Sequence, residues 1–153
     1  MEGFEIDIYV VSTLMDLYGK CGCFIEAQEV FDELPDRNVV SWNVLISGYA
    51  QLGQIKRVFY LLCKMMAEGI MPSLVSFLLL LTACSHAGLV EYGTRVLMAV
   101  NELFGSVQTI ELHNCLIDML TRVGRVEEAM KILQKMPFQP NVVTWNTILG
   151  TCQ

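Results

Sequence analysis

From Val10 to Lys20 the apolar residues Val11, Leu14, Met15 and Tyr18 fall at the i, i+3, i+4, i+7 spacing that gathers them on one helix face. A second helix is predicted over Ile25–Leu34, with Ala27, Val30, Phe31 and Leu34 turned inward and Glu26, Glu29, Asp32 and Glu33 outward. The same pattern predicts helices near Ser41–Gln51, Gln54–Ala67, Ser76–Ala87, Val90–Phe104, Leu112–Val123 and Val126–Lys135, with a last one from Thr144 to Cys152. Each pair is broken by a glycine, and Pro35, Gly69 with Pro72, Gly105, and Pro137 with Pro140 close the successive pairs. The β-branched pairs Val39-Val40 and Val142-Val143 lead straight into helical periodicity, so no strand competes.

The helix pairs are copies of one unit, best seen in Val39–Ser73. Its SWNVLISGYAQLGQI stretch aligns with SFLLLLTACSHAGLV and ELHNCLIDMLTRVGRV further on. The repeat glycines Gly22, Gly53, Gly88 and Gly124 lie 31, 35 and 36 residues apart, a period that marks stacked two-helix units. The units run 8–38, 39–73, 74–109 and 110–141, with a partial fifth at 142–153, and residues 1–153 read as a single domain. One helix pair is too small to bury its own apolar face, so neighbours must share a continuous core. The fold class expected is therefore all-α, a right-handed α-solenoid of stacked helix-turn-helix repeats.

Composition narrows the function. Hydrophobic residues make up 54% of the 153 positions, enough for a substantial core. The longest apolar stretch, near Phe77–Leu81, is far short of the roughly 20 residues a membrane span needs and reads as buried helix. A net charge of −6 argues against indiscriminate nucleic-acid binding, which depends on clustered Lys and Arg, so any such binding must come from local geometry. Cys63, Cys84, Cys115 and Cys152 sit in apolar helical segments and are expected to be packed free thiols. Cys21 and Cys23 are one residue apart, the wrong gap for a zinc knuckle, and no metal site or cofactor is expected. The opening MEGFEID has neither a signal-peptide core nor a basic, Ser-rich transit segment.

Recurring marks tie the units to a known family. An aromatic stands at matching places in Trp42, Phe77 and Trp145; Leu14, Leu45, Leu80 and Leu116 recur in register, as do the glycines and the Met-Pro or Gly-x-x-Pro endings. In these features residues 8–153 resemble the pentatricopeptide repeat family, in particular its plant PLS-type subgroup, whose repeats alternate in length. The rival tetratricopeptide pattern, Trp-x-x-Leu-Gly-x-x-Tyr, is found in no unit.

The resemblance implies single-stranded RNA held along the first helices, one base per repeat, each read by the fifth and last residues of its unit. By position these readers are Ser12 with Asn38, Asn43 with Ser73, and Asn114 with Asn141, followed by Asn146 alone. In the family such pairs favour adenine, cytosine and a pyrimidine in turn, while Leu78 with Thr109 departs from the code, so the expected target is A-C-N-Y. Tyr9, Val40, Val75 and Val143 occupy the base-sandwiching second place, where Glu111 does not suit repeat four. Phosphate-facing places hold Lys20, Gln51, His86 and Arg122, of which Lys20 and Arg122 are the charged ones.

The subgroup further implies a mitochondrial or chloroplast protein acting in C-to-U editing or RNA processing. It would act as a specificity factor, with editing-factor proteins or a deaminase in trans as partners. The Leu78–Leu81 run of repeat three is the expected protein contact. A zinc deaminase needs His-x-Glu and Pro-Cys-x-x-Cys, but His86 is followed by Ala-Gly, His113 by Asn-Cys, and no Cys-x-x-Cys occurs. No phosphate-cradling loop or nucleophile elbow is present either, so no enzyme activity is expected. The alternatives are a protein-interaction scaffold, favoured by the acidic balance, or a non-functional truncated fragment, favoured by the partial units at each end. A final helix without its partner predicts that Trp145, Ile148 and Leu149 are partly exposed and promote self-association.

Overall fold

A computed structural model describes residues 8–105, 109–137 and 139–150. The side chains of Ile8, Tyr9, Val11, Ser12 and Asp16 lie outside the described residues, as does Cys152. Nine helices and no strand are present among the described residues. They are α1 (Ile8–Lys20), α2 (Phe24–Asp32), α3 (Val39–Gln51), α4 (Ile55–Ala67), α5 (Leu74–Ala87), α6 (Val90–Phe104), α7 (Ile110–Arg122), α8 (Val126–Lys135) and α9 (Val142–Gly150).

From α3 onward the first helices begin two residues earlier than their apolar periodicity predicts. The reason is the cap. Asn38 Oδ1 accepts the Ser41 backbone N–H at 3.0 Å, and Thr109 Oγ1 accepts that of Leu112 at 3.3 Å, each satisfying a donor the first turn leaves open. The residues between cap and first inward side chain, such as Val39 and Val40, are thereby drawn into the helix.

The units assemble into an α-solenoid with two unlike layers. Helices α1, α3, α5, α7 and α9 approach one another in series, whereas α2, α4, α6 and α8 make no close backbone approach to each other among the described residues. A tight row backed by a splayed row must curve, and the tight row lies on the inside of the bend.

One core runs through the stack. Phe31, Trp42, Ile46, Met65, Leu81 and Ile117 have no accessible surface, so every complete unit contributes to it. Trp42 meets the Phe31 ring edge-on at 4.7 Å, joining the first unit to the second. Leu80 and Leu81 are buried and Leu78 and Leu79 pack against the core. Of the Leu78–Leu81 run expected as a protein contact, Leu80 and Leu81 are thereby withdrawn into the core that joins α5 to its neighbours, while Leu78 and Leu79 are half-buried.

Two glycines permit close approach. Gly53 turns the chain at φ +67°, and a Cβ there would meet Ala87 N and His86 C at 3.2 Å. Gly93 on α6 lets Met119 of α7 press against its backbone. On the outer layer, Arg37 fastens the end of α2 to the end of α4 through an ion pair with Glu68 at 2.9 Å and a hydrogen bond to Phe31 O at 3.3 Å.

Other expectations are refined. Leu14 is half-exposed and Cys63 is exposed, because each sits at the margin of its helix's apolar face. Cys84 is buried, and burial pushes its thiol up to about 11; the same cause raises that of Cys115 to about 11. Ile148, expected at the surface, is only 8% exposed because it joins Thr144 on the side of α9 facing α7, while Trp145 and Leu149 remain 47% and 60% exposed.

Candidate nucleic-acid interface

Along the inner row, the second place of α3, α5 and α9 is apolar and open. Val40, Val75 and Val143 are 53%, 53% and 58% exposed, unusual for valines in a core-forming helix. Glu111 is exposed at the same place in α7. Lys20 is exposed at the end of α1. The side chains of Tyr9 and Ser12 lie outside the described residues.

The fifth and last residues of a unit come together although some thirty residues separate them. Asn43 Nδ2 lies 3.4 Å from Ser73 Oγ. This follows from the solenoid, since the loop ending unit two returns beside α3 to start α5. The two are also joined by a third residue: Ser76 Oγ accepts the Ser73 N–H at 3.0 Å and donates to Asn43 Oδ1 at 2.7 Å.

Unit four repeats this arrangement. Thr144 Oγ1 lies 2.6 Å from Asn114 Oδ1 and 3.0 Å from Asn141 Oδ1, and Asn141 Oδ1 accepts the Thr144 N–H at 3.0 Å. Asn38 and Asn141 therefore use their side-chain oxygens as caps for the helices that follow. Their amide groups keep Nδ2 as donor. A cap and a base reader are compatible in one asparagine, since each uses a different end of the amide. Asn43 and Asn114 are half-buried, and Asn38, Asn141 and Asn146 are exposed.

The third-place hydroxyls and Asp118 were missed by the sequence reading. The signal for the hydroxyls was there, as Ser41, Ser76 and Thr144 recur in register. Asp118 had no such recurrence to reveal it.

Asp118 changes the electrostatics. Its Oδ2 accepts the Ser85 hydroxyl and pairs with Arg122 Nε at 2.9 Å. Arg122 is one of the two charged residues expected at the phosphate-facing places. Its charge is shared with a carboxylate one helical turn away, because residues four apart on a helix stand side by side. A cleft of about 450 Å³ between α7 and α9 is lined by Asp118, Arg122, Val143, Asn146 and Thr147, bringing three kinds of expected contact into one concavity. His113 is half-buried with Nδ1 2.8 Å from Thr109 O, a local structural contact. Among the described residues no cluster of three or more potential metal ligands forms, and no helix is long and apolar enough to cross a membrane.

A curved helical-repeat scaffold with small polar groups and open valines at equivalent places of several units defines the class of stacked helical-repeat proteins. The model of the PPR repeat family matches residues 37–86, and that of the PPR repeat matches residues 9–39 and 111–138. The chain belongs to the pentatricopeptide repeat family. Pentatricopeptide repeat-containing protein At3g29230 of Arabidopsis thaliana is 40% identical over 145 residues, covering 95% of this chain and 24% of that protein. From the same plant, the relative At1g56690, named mitochondrial, is 37% identical over 150 residues, covering 98% of this chain and 21% of its own length. The relative At5g13270, named chloroplastic, is 39% identical over 144 residues, covering 94% and 19%.

The chain thus spans about a quarter or less of the curated relatives it matches. The fold is also that of the pentatricopeptide repeat protein PPR10, solved in complex with an 18-nt psaJ RNA element. That match has a TM-score of 0.83 at 19% identity and covers 97% of this chain and 23% of PPR10.

Proposed function

We propose that this chain is a base-selective segment of a single-stranded RNA-binding protein. The observation that carries the reading is the joining of Asn43 to Ser73, and of Asn114 to Asn141 through Thr144, at equivalent steps of one inner row. Asparagine offers a donor and an acceptor to a base edge, and the exposed valines at the second place offer apolar surface to base faces. That PPR10 was solved in complex with RNA supports the reading.

The proposed register runs amino-to-carboxyl along 5′-to-3′ RNA with Ser12/Asn38, Asn43/Ser73 and Asn114/Asn141 as readers. Val40, Val75 and Val143, with Tyr9, are the sandwiching residues, and Lys20 and Arg122 the phosphate contacts. Valine platforms give less than the ~1–3 kcal/mol per base that aromatic ones supply, so the segment alone binds weakly. The units 8–38, 39–73, 74–109, 110–141 and 142–153 are proposed as the reading modules of a PLS-type protein. Its proposed role is that of a specificity factor in organellar C-to-U editing or RNA processing, with catalysis supplied elsewhere. Relatives named mitochondrial and chloroplastic support an organellar setting.

The test is equilibrium binding to oligonucleotides carrying A-C-N-Y and to permuted controls. Ser73→Asp is expected to move the preference at the second base from cytosine towards uridine. An unaltered preference rejects base reading at that position.

One observation favours a protein partner as well. On the outer side, Ile55, Phe59, Leu89 and Tyr92 line an apolar cleft of about 220 Å³ between α4 and α6. A protein-interaction scaffold is the reading to adopt if no RNA binds even at low salt.

A further inference from the structure

The third place of the first helices carries a buried hydroxyl in Ser41, Ser76 and Thr144, but Leu112 in α7. This difference follows the fifth residue of the preceding unit. Ser76 follows Asn43 and Thr144 follows Asn114, whereas Leu112 follows Leu78, which has no hydrogen-bonding group. A buried hydroxyl left without a partner costs about 1–3 kcal/mol, a cost that Ser41 avoids within its own turn by donating to Asn38 O at 2.9 Å, and Ser76 and Thr144 by an acceptor on the neighbouring helix. At Ser76 and Thr144 that acceptor is an asparagine Oδ1, at 2.7 Å and 2.6 Å.

We propose that Ser76 and Thr144 are positioning residues for base recognition: each fixes which way the asparagine amide of the preceding unit faces the groove. The proposal rests on the RNA-binding function put forward above. A solvated asparagine can turn its amide over, exchanging oxygen for nitrogen and reversing the pattern shown to a base. Ser76 blocks that exchange. Its oxygen accepts the Ser73 N–H at 3.0 Å, and its single proton goes to Asn43 Oδ1 at 2.7 Å. Turning the amide over would leave that buried proton facing an NH₂ group, with only the Ser73 hydroxyl at 3.4 Å as an alternative. With the oxygen held, Nδ2 donates one proton towards Ser73 Oγ and keeps the other, beside a fixed oxygen lone pair, for the base.

Thr144 performs the same task across a unit boundary for Asn114, whose Oδ1 at 2.6 Å is a closer acceptor for its one proton than Asn141 Oδ1 at 3.0 Å. It also receives the Asn141 N–H at 3.3 Å. The reading element is thus three residues rather than two, and the third belongs to the next repeat.

The experiment compares the full chain with its Ser76→Ala and Ser76→Thr variants by two measurements. The first needs no RNA: ¹⁵N relaxation of the Asn43 side-chain amide. Order is expected to fall in Ser76→Ala and to return in Ser76→Thr. The second is binding to oligonucleotides differing only at the base opposite unit two. Discrimination is expected to fall about fivefold in Ser76→Ala, the scale of one net hydrogen bond, with that opposite unit four unchanged. Thr144→Val, which keeps the side-chain shape, should do the converse. Unchanged amide order in Ser76→Ala overturns the inference whatever the RNA does. Lower order with discrimination preserved also overturns it, since the base would then not depend on the amide's orientation. Lower order in a protein that discriminates no base even as wild type upholds the positioning and removes the proposed RNA-reading function instead.

Discussion

Arg122 Nε lies 2.9 Å from Asp118 Oδ2, the same oxygen that accepts the Ser85 hydroxyl. As a contribution to stability this exposed i, i+4 pair is small, a few tenths of a kcal/mol. For the proposed phosphate contact it weighs more, because the carboxylate opposes the positive field Arg122 would project. Asp118→Asn keeps an oxygen for Ser85 while removing the charge. RNA affinity at low salt should rise, and the slope of log K against log salt should steepen by about 0.7, one added phosphate contact. Anisotropy titrations at several salt concentrations check this; an identical slope would mean that Arg122 does not reach the backbone.

Trp42 makes a prediction about packing. It has no accessible surface, yet its Nε1 is buried without a hydrogen-bond partner. Truncation to alanine opens a large cavity and should cost about 3–5 kcal/mol. Trp42→Phe also loses volume but removes a buried N–H whose burial costs about 1–3 kcal/mol. The two terms nearly offset, so Trp42→Phe should cost less than about 1.5 kcal/mol in urea denaturation. Equal losses for both variants would show that volume alone governs this site.

The repeat glycines separate strain from crowding. Gly124 adopts φ +79° with nothing near the position of an added Cβ, so Gly124→Ala should cost only the left-handed backbone penalty, about 1 kcal/mol. Gly53 has a similar φ of +67° but would drive its Cβ against the end of α5. Gly53→Ala should therefore lose about 1–3 kcal/mol more, the range for inserting a group into a filled space. Thermal melts of the two variants compare them directly.

Alkaline pH probes the core. Desolvation raises the Cys84 thiol from 9.0 to about 11, so the folded state favours the neutral thiol and the unfolded chain ionises first. Cys84 therefore contributes stability that is intact below pH 9 and is lost as pH rises through 11. Between about pH 8 and about pH 10.5 the loss should approach 2 kcal/mol for this thiol. Cys84→Ala, though less stable at neutral pH, should decline less steeply over that range; parallel declines would place the titration elsewhere.

The helices were legible because the stripe that joins units recurs in every unit, and one pattern read several times is hard to misread. Trp42, Phe31 and Leu81 were recoverable from it. What periodicity does not encode is the partner of a polar group. Asn38 and Asn141 were read as base contacts from their place in the repeat, but their capping of α3 and α9 depends on where the chain turns. Ser76 joins Asn43 from thirty-three residues away, and the proximity exists only once the units stack. Ile148 and Leu149 have similar hydropathy, and only the direction of α7 decides which is covered.

For the RNA-binding role proposed above, the spacing of the inner helices limits the kind of nucleic acid that fits. Packed helices stand about 8–10 Å apart, whereas stacked nucleotides advance about 3.4 Å per step along a strand. A strand offering one nucleotide to each helix of this row must be stretched until its bases part from one another. Hairpins and duplexes are then competitors for the message rather than substrates, and unfolding them is a cost that any target site has to meet before the first asparagine is engaged.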